Sequence, residues 1–187
     1  QRENRRLLAK YVRGSRVLNT FCYSGGFSVS AASGGASSVH SIDASEAALE
    51  LCRENIALNP SAAEHVVTRG ECMKLLNELD ARYDVVVLDP PAFAKRRESV
   101  DGALRGYENL NVMGLRLFEG DGILFTFSCS QMVTRDDFRK AIQIAAARAG
   151  KRVQVLHELH QAPCHPVSIF HPEGEYLKGF VLAVSSR

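Results

Sequence analysis

Apolar and polar positions alternate along the chain in a way that predicts strands and helices in turn. Short apolar runs rich in β-branched residues are typical of strands buried in a parallel sheet. Apolar positions three and four apart are typical of helices that cover a sheet. The predicted strands are residues 16–21, 37–43, 65–68, 83–89, 123–129, 152–160 and 180–184. The predicted helices are residues 2–13, 28–33, 46–59, 71–79, 105–118 and 135–149.

Strands that alternate with helices predict βαβ units, so the expected fold class is α/β with a mostly parallel sheet. The last two predicted strands have no helix between them, and we expect them to be antiparallel because a parallel return needs a longer crossover. Residues 92–104 are predicted to form a mobile loop. With 187 residues and 45% apolar composition, the chain is expected to form one domain over residues 1–187.

The net charge is only +2, so global charge does not point to nucleic acid. Basic residues are nevertheless concentrated in two places. The first sixteen residues carry six Lys or Arg against one acid, Glu3, and residues 95–97 are Lys-Arg-Arg. Solvated helix and loop faces explain such clusters, although a basic rim would also suit an RNA backbone.

The chain has five cysteines and no Cys-x-x-Cys pair, which indicates a reduced protein located in the cytoplasm. No stretch is long and apolar enough to span a membrane, and no membrane partner is expected. The chain begins without Met, so we expect a fragment of a longer protein with an upstream part missing.

A thiol follows the apolar run 123–127, because the chain continues as Ser128-Cys129-Ser130. In open α/β sheets, ligands bind in the crevice outside the carboxyl ends of the strands. Cys129 is therefore a candidate for chemistry. Most cysteines in apolar surroundings are inert, and that interpretation is kept for Cys52 and Cys72, which fall on predicted helices. Attack by Cys129 would need a lowered pKa, which the sequence does not show.

A glycine-containing turn, Cys22-Tyr-Ser-Gly-Gly-Phe27, follows the first predicted strand and precedes a helix. Glycine allows close approach of a ligand to the backbone. Asp43 ends the next strand about 20 residues later, where an acid can bind a ribose hydroxyl. The turn is neither G-x-G-x-x-G nor a P-loop, and an ordinary glycine turn is the alternative.

The fourth predicted strand ends in Asp89-Pro90-Pro91-Ala92-Phe93. The prolines stiffen the exit and fix the direction of Asp89, and Phe93 could stack on a planar base. Taken alone, the motif is better explained as a strand terminator with a solvent-facing acid.

Histidine and cysteine residues cluster near the carboxyl terminus, but their spacing is loose and no carboxylate completes a ligand set. We therefore expect no metal site. These residues are His157, His160, Cys164, His165 and His171.

Six stretches of the sequence resemble the bacterial 23S ribosomal RNA cytosine-5 methyltransferase I family, which depends on S-adenosylmethionine. They are VLNTFCYSGGF at 17–27, SIDAS at 41–45, DPPAF at 89–93, RGYENLN at 105–111, TFSCS at 126–130 and PEGEYLKGF at 172–180. Asp-Pro-Pro alone is common among methyltransferases, whereas TFSCS together with the first turn is much more specific.

The resemblance implies a Rossmann-like seven-stranded methyltransferase sheet, with an antiparallel carboxyl-terminal strand and helices on both faces. It implies S-adenosyl-L-methionine as the cofactor and 23S ribosomal RNA as the partner, and a homodimer is a further expectation. It also implies upstream PUA and linking domains that this chain lacks. Glu71 matches an acid near the adenine, but it follows Gly70 where relatives carry Asp.

The residues expected at the site follow from these matches. The catalytic residues are Cys129 and Asp89. The cofactor contacts are Asn19, Phe21, Tyr23, Ser24, Gly25, Gly26, Asp43, Ala44, Glu71, Asp89 and Pro90. The substrate contacts are Pro91, Phe93, Lys95, Arg105 and Tyr107.

Cytosine C5 is too weak a nucleophile to take a methyl group directly, so the hypothesis is covalent catalysis. A Cys129 thiolate adds at C6 and makes C5 nucleophilic, while Asp89 hydrogen-bonds the base near N3. The alternatives are methylation of another RNA base or of an amine, a nicotinamide-dependent oxidoreductase, and a non-catalytic RNA-binding domain.

Overall fold

The computed structural model describes residues 1–80, 82–94, 97–171 and 174–186. The predicted substrate contact Lys95 lies outside these residues. The strands are β1 (Arg16–Thr20), β2 (Ser38–Asp43), β3 (Glu64–Arg69), β4 (Val85–Leu88), β5 (Gly122–Ser128), β6 (Lys151–Leu159) and β7 (Lys178–Ser186). The helices are α1 (Arg2–Leu8), α2 (Gly26–Ser33), α3 (Glu46–Leu58), α4 (Cys72–Glu78), α5 (Val100–Arg116) and α6 (Arg135–Ala149).

The seven strands form one sheet in the order β3-β2-β1-β4-β5-β7-β6. The strands β1 to β5 are mutually parallel. The strand β7 runs antiparallel to both β5 and β6, as predicted for two strands without an intervening helix. The predicted fold class, a mostly parallel Rossmann-like sheet with antiparallel carboxyl-terminal strands, is confirmed.

The strand order reverses direction between β1 and β4, which are adjacent at the centre of the sheet. This is a topological switch point, where the connections that follow the two strands leave on opposite sides and open a crevice. All four residues of β4 are buried, which explains its unbroken run of Val and Leu. The crevice therefore opens at the ends of β1 and β4, beside Phe21 and Asp89.

Two apolar layers cover the sheet. Buried side chains of α4, α5 and α6 form one layer, including Leu76, Leu110 and Phe138. Buried side chains of α1 and α2 form the other, including Leu8 and Phe27. Helices thus lie on both faces of the sheet, as the resemblance implied.

Two helix boundaries differ from the sequence prediction by more than two residues. The helix α1 ends at Leu8 rather than at residue 13, because Lys10 and Tyr11 donate to carbonyls three residues back and tighten the turn. The helix α5 begins at Val100 rather than at residue 105, after a 3₁₀ turn, Arg97–Ser99. The predicted mobile loop at 92–104 is therefore wrong from residue 97 onward.

The early start of α5 has a packing reason. Ala103, Tyr107 and Leu110 are all buried against the core, at a spacing of four and three residues. The charged stretch at 95–98 and Gly102 obscured this apolar stripe in the sequence.

The helix α6 offers a test of capping. The Thr134 hydroxyl accepts a hydrogen bond from the Asp137 N–H at 3.1 Å, at the start of the helix. We expect Thr134→Ala to lower the free energy of unfolding by about 1 kcal/mol. Urea unfolding measures it, with Thr134→Ser as the control that keeps the hydroxyl. Equal losses in the two variants would show that the cap contributes nothing.

Candidate active site

A cleft of about 580 Å³ lies at the carboxyl ends of β1, β2, β4 and β5. Nine of the residues predicted for the site line it: Phe21, Tyr23, Asp43, Ala44, Glu71, Asp89, Pro90, Pro91 and Cys129. Gln1, Cys72, Tyr176 and Leu177 complete the lining and were not predicted. The fold therefore brings residues from four strand ends, from the start of α4, from the amino terminus and from the loop before β7 around one cavity.

The turn between β1 and α2 has an unusual backbone. Phe21 and Tyr23 adopt φ values of 53° and 48°, and they are the two non-glycine residues with positive φ in the described part of the chain. Gly25 follows at φ 76° and is the N-cap of α2. Left-handed backbone at bulky residues is costly and is typical of functional turns.

Backbone donors hold the two acids at the mouth of this turn. The Asp43 carboxylate accepts from Tyr23 N and from Ser45 N, both at 2.9 Å. The Glu71 carboxylate caps α4 by accepting from Met73 N at 3.0 Å and Lys74 N at 2.7 Å. Each carboxylate oxygen has a second lone pair, so both acids can still accept hydrogen bonds from a ligand.

Asp89 directly follows β4 and lines the cleft. Burial raises the pKa of its carboxyl from 3.8 to about 6, although a hydrogen bond from Gln1 Nε2 at 2.8 Å favours the charged form. The Gln1 amide is itself oriented by Asn4, whose Nδ2 donates to Gln1 Oε1 at 2.7 Å. A carboxyl in this range can hold or release a proton near neutral pH.

Cys129 directly follows β5, the neighbour of β4 in the sheet. Its thiol is half-buried and donates to the Pro90 carbonyl at 3.6 Å, which places it against the Asp-Pro-Pro segment. Burial raises the pKa of the Cys129 thiol, and the nearby Asp89 charge raises it further. Lys178 acts in the opposite direction on the same pKa. Burial and the Asp89 charge therefore both favour the protonated form of the thiol.

Ser130, the residue after Cys129, is a buried junction that the sequence did not reveal as important. Its hydroxyl accepts from Ala94 N at 3.0 Å and shares a hydrogen bond of 2.8 Å with the Tyr107 hydroxyl. Its carbonyl accepts from Lys178 Nζ at 2.7 Å. Both Ser130 and Lys178 lie in stretches that carry the family resemblance, and that was the available signal.

The remaining predicted contacts lie around the cleft rather than in its wall. Asn19 is buried and donates to the Ser28 hydroxyl, and Ser24 accepts from Asn55 through its carbonyl. Gly26 begins α2 beside the Arg5 guanidinium.

Two aromatic residues predicted to contact the substrate pack against each other. The rings of Phe93 and Tyr107 have centroids 4.6 Å apart, and Tyr107 is fully buried. Arg105 is exposed on α5, two residues before Tyr107. The functional roles assigned to these residues stay predictions.

The other cysteines and the histidines are distributed over several parts of the fold. Cys22, Cys52 and Cys72 are buried, and burial raises the pKa of the Cys72 thiol to about 11. His157 hydrogen-bonds the Tyr11 hydroxyl at 2.7 Å, and His160 contacts Arg135. Within the described ranges, no group of three or more His, Cys, Asp or Glu is arranged to hold a metal ion.

A larger groove of about 710 Å³ lies between α6 and the strands β6 and β7. None of the predicted site residues lines it, and it lies away from the carboxyl ends of the parallel strands. We therefore place the candidate site in the smaller cleft.

In the part of the chain that the structure describes, no helix has the length and apolar character needed to cross a membrane.

Comparisons with known proteins identify the family of the chain. Residues 1–155 match the family model of S-adenosylmethionine-dependent methyltransferases. Ribosomal RNA large subunit methyltransferase I of Shewanella frigidimarina is 43% identical over 188 residues, covering 98% of this chain and 47% of that protein. The protein of the same name from Escherichia coli O139:H28 is 45% identical over 190 residues, covering 98% and 48%. The chain spans about half the length of these curated relatives.

Solved structures described as methyltransferases have a similar fold. The crystal structure of SMU.776, described as a methyltransferase complexed with SAH, superposes with a TM-score of 0.82 at 26% identity. The match covers 98% of this chain and 49% of that one. A SAM-dependent methyltransferase from Streptococcus mutans superposes with a TM-score of 0.84, also at 26% identity, over 98% of this chain and 48% of that one.

The glycine in the turn before α2 can be tested against a matched control. A Cβ at Gly25 would collide with the buried Cys52 Sγ, whereas a Cβ at Gly14, which has a similar φ of 72°, would meet nothing within 4 Å. We expect Gly14→Ala to cost about 1 kcal/mol for the backbone alone. Gly25→Ala should cost at least about 1 kcal/mol more, because the collision is added. Urea unfolding measures both, and equal costs would contradict the close packing at Cys52.

The raised pKa of Asp89 predicts a pH dependence of stability. An acid whose pKa rises from 3.8 unfolded to about 6 folded binds protons more strongly in the folded chain. The folded state therefore loses stability as pH rises between about 4 and about 6. We expect Asp89→Asn to remove that loss and to stabilise the chain at pH 7.5 by on the order of 1 to 2 kcal/mol.

Urea unfolding of both chains at pH 4.5 and 7.5 tests this expectation. Asp121→Asn is the control, because it removes the same charge from an exposed turn. The burial effect would be refuted if the free energy of unfolding changed between the two pH values by the same amount in the wild-type chain and in the Asp89→Asn variant.

Proposed function

Because the chain belongs to the S-adenosylmethionine-dependent methyltransferase family, we propose that it transfers a methyl group to C5 of a cytosine in 23S ribosomal RNA through a covalent bond to Cys129. One observation carries the proposal: Cys129 and Asp89 follow adjacent strands and line the same cleft as the turn after β1. The relatives named ribosomal RNA large subunit methyltransferase I support the RNA substrate.

The residues of the turn suit the cofactor. S-adenosylmethionine supplies an electrophilic methyl group on a positively charged sulfur. In our proposal, the Asp43 carboxylate accepts hydrogen bonds from the ribose hydroxyls, because it ends β2 and is fixed by two backbone donors. Glu71 lies further out on the same side and would face the adenine. The backbone from Phe21 to Gly25 would pass close to the rest of the cofactor.

The first chemical step makes cytosine C5 nucleophilic. The Cys129 thiolate forms a bond to C6, and the electron pair of the C5–C6 double bond is delocalised toward N3. N3 then takes a proton from the protonated Asp89 carboxyl. The raised pKa of Asp89, about 6, supports this role because a useful fraction of the carboxyl carries its proton near neutral pH.

The remaining steps restore the enzyme. C5 forms its bond to the methyl group, and the methyl–sulfur bond of the donor breaks. A base then removes the proton from C5, and the bond between C6 and Cys129 breaks with return of the electron pair to sulfur. The N3 proton returns to Asp89, so atoms and charges balance over the cycle.

The half-buried position of Cys129 suits an unstacked base rather than a paired one. The thiol lies in the cleft against the Pro90 carbonyl, and Pro91 is exposed at the rim. A cytosine inside a duplex does not reach such a thiol, so the base would have to leave its stack. We propose Arg105, exposed on α5, and Lys95 as contacts to the RNA backbone, with Phe93 and Tyr107 supporting the wall behind Pro91.

The covalent step can be trapped. RNA containing 5-fluorocytosine has no C5 proton to lose, so the adduct with Cys129 should accumulate and survive denaturing electrophoresis. We expect Cys129→Ala to abolish the adduct and to reduce methyl transfer to unmodified 23S RNA by at least about 10³-fold. Binding of S-adenosylhomocysteine, measured by calorimetry, should change little.

Cys164→Ala is the matched control, because Cys164 is exposed and does not line the cleft. It should form the adduct at the wild-type rate. Full methyl transfer by Cys129→Ala would overturn the assignment. Methyl transfer by the wild-type chain without any adduct, on RNA that it binds, would instead favour an amine or another base as the acceptor.

A further inference from the structure

Lys178 contacts the chain on both sides of Cys129. Its backbone pairs with Ser128 in the antiparallel register of β5 and β7. Its ammonium group donates to the Ser130 carbonyl at 2.7 Å. The lysine is 48 positions from Ser130 in the sequence and yet contacts both neighbours of Cys129.

The position is an unusual one for a lysine. Only 6% of Lys178 is exposed, and buried ammonium groups are rare unless a charge or several hydrogen bonds compensate them. Over residues 1–80, 82–94, 97–171 and 174–186, the structure gives Lys178 no salt bridge, and the Ser130 carbonyl is the acceptor that its ammonium reaches. The Ser130 carbonyl is neutral and accepts one of the three N–H donors of the ammonium. It therefore does not compensate the positive charge of Lys178.

We propose that Lys178 is a positioning residue that stabilises the thiolate of Cys129, serving as the buried cation held next to the segment that carries the sulfur. The inference rests on the proposed function, because it names the group that favours ionisation of the nucleophile in that reaction. A cation held beside a thiol favours the ionised form, and a buried cation is screened less than one at the surface.

Burial is the largest cause that raises the pKa of this thiol, and charged groups then act on the thiol directly or through Lys178. Asp89 lines the same cleft as Cys129 and raises the pKa of the thiol, while the charge of Lys178, held on β7 at the Ser130 carbonyl, lowers that pKa. Burial lowers the pKa of the Lys178 ammonium, and Arg135 on α6 lowers it further, whereas Cys129 and Glu175 in the preceding loop raise it.

This balance changes when a cytosine enters the cleft. The Asp89 carboxyl opposes thiolate formation only while it is charged. If it holds a proton that bonds to N3 of the base, the opposing charge is gone and the attraction of Lys178 is left. Thiolate formation is thereby linked to the presence of the base, and the free chain keeps its cysteine unreactive.

The rate of alkylation of Cys129 by iodoacetamide, followed from pH 6 to 10 by mass spectrometry of the Cys129 peptide, tests the inference. Only the thiolate reacts, so the rate follows its fraction. We expect Lys178→Met to slow alkylation at pH 8 by about tenfold, which corresponds to one unit of thiol pKa. Lys178→Arg keeps the charge and should stay within about threefold of wild type.

Lys151→Met is the matched control. The Lys151 ammonium also donates to a backbone carbonyl, that of Phe118, at 2.7 Å, but it lies at the start of β6, far from Cys129 in the sheet. It should leave the alkylation profile unchanged. Circular dichroism confirms folding, and Lys178→Gln, which keeps a neutral donor for Ser130, replaces Lys178→Met if that variant does not fold.

An alkylation profile of Lys178→Met or Lys178→Gln that equals the wild-type profile would overturn the inference and leave Lys178 as a structural hydrogen-bond donor. The measurement needs neither RNA nor cofactor. The two proposals can therefore fail separately. The proposed function fails if no 5-fluorocytosine adduct forms, even when substitution of Lys178 still changes the alkylation rate of Cys129.

Discussion

The geometry of the cleft depends on the hydrogen bonds that meet at Ser130. Its hydroxyl and carbonyl bind groups from the Asp-Pro-Pro loop, α5 and β7, through Ala94, Tyr107 and Lys178. Ser130 is fully buried, so a lost partner would leave a polar group without compensation, at a cost of about 1 to 3 kcal/mol. The segment that carries Cys129 is thus fixed from three directions, and the thiol can move little relative to Asp89.

An aromatic row supports this junction from behind. Tyr107 lies between Phe93 and Phe138, with ring centroids 4.6 and 5.2 Å away, and Phe138 continues the row to Phe180 on β7 at 5.9 Å. Such contacts add to the burial of apolar area. The row joins the loop after β4, two helices and the strand that carries Lys178, so the polar junction and the apolar core constrain the same segments.

The sequence predicted those features that depend on local pattern. The β-branched run at Val85–Leu88 and the apolar run before Cys129 identified two central strands. Because ligands bind at the carboxyl ends of parallel strands, Asp89 and Cys129 were expected at the same site. Contacts set by long-range register were not predictable. Lys178 meets Ser130 only because β7 turns antiparallel beside β5, and Gln1 reaches Asp89 across 88 positions. The start of α5 was missed because charged residues precede its apolar stripe.

The left-handed turn at Phe21 and Tyr23 has a consequence for ligand affinity. Each such residue stores on the order of 1 kcal/mol of backbone strain, which the folded chain bears before any ligand arrives. The turn is therefore preorganised, with its amides already directed by the bonds to Cys72 and Asp43. A ligand that binds there loses little free energy to ordering the loop, so its affinity is set by direct contacts, and the entropy of the loop contributes almost nothing.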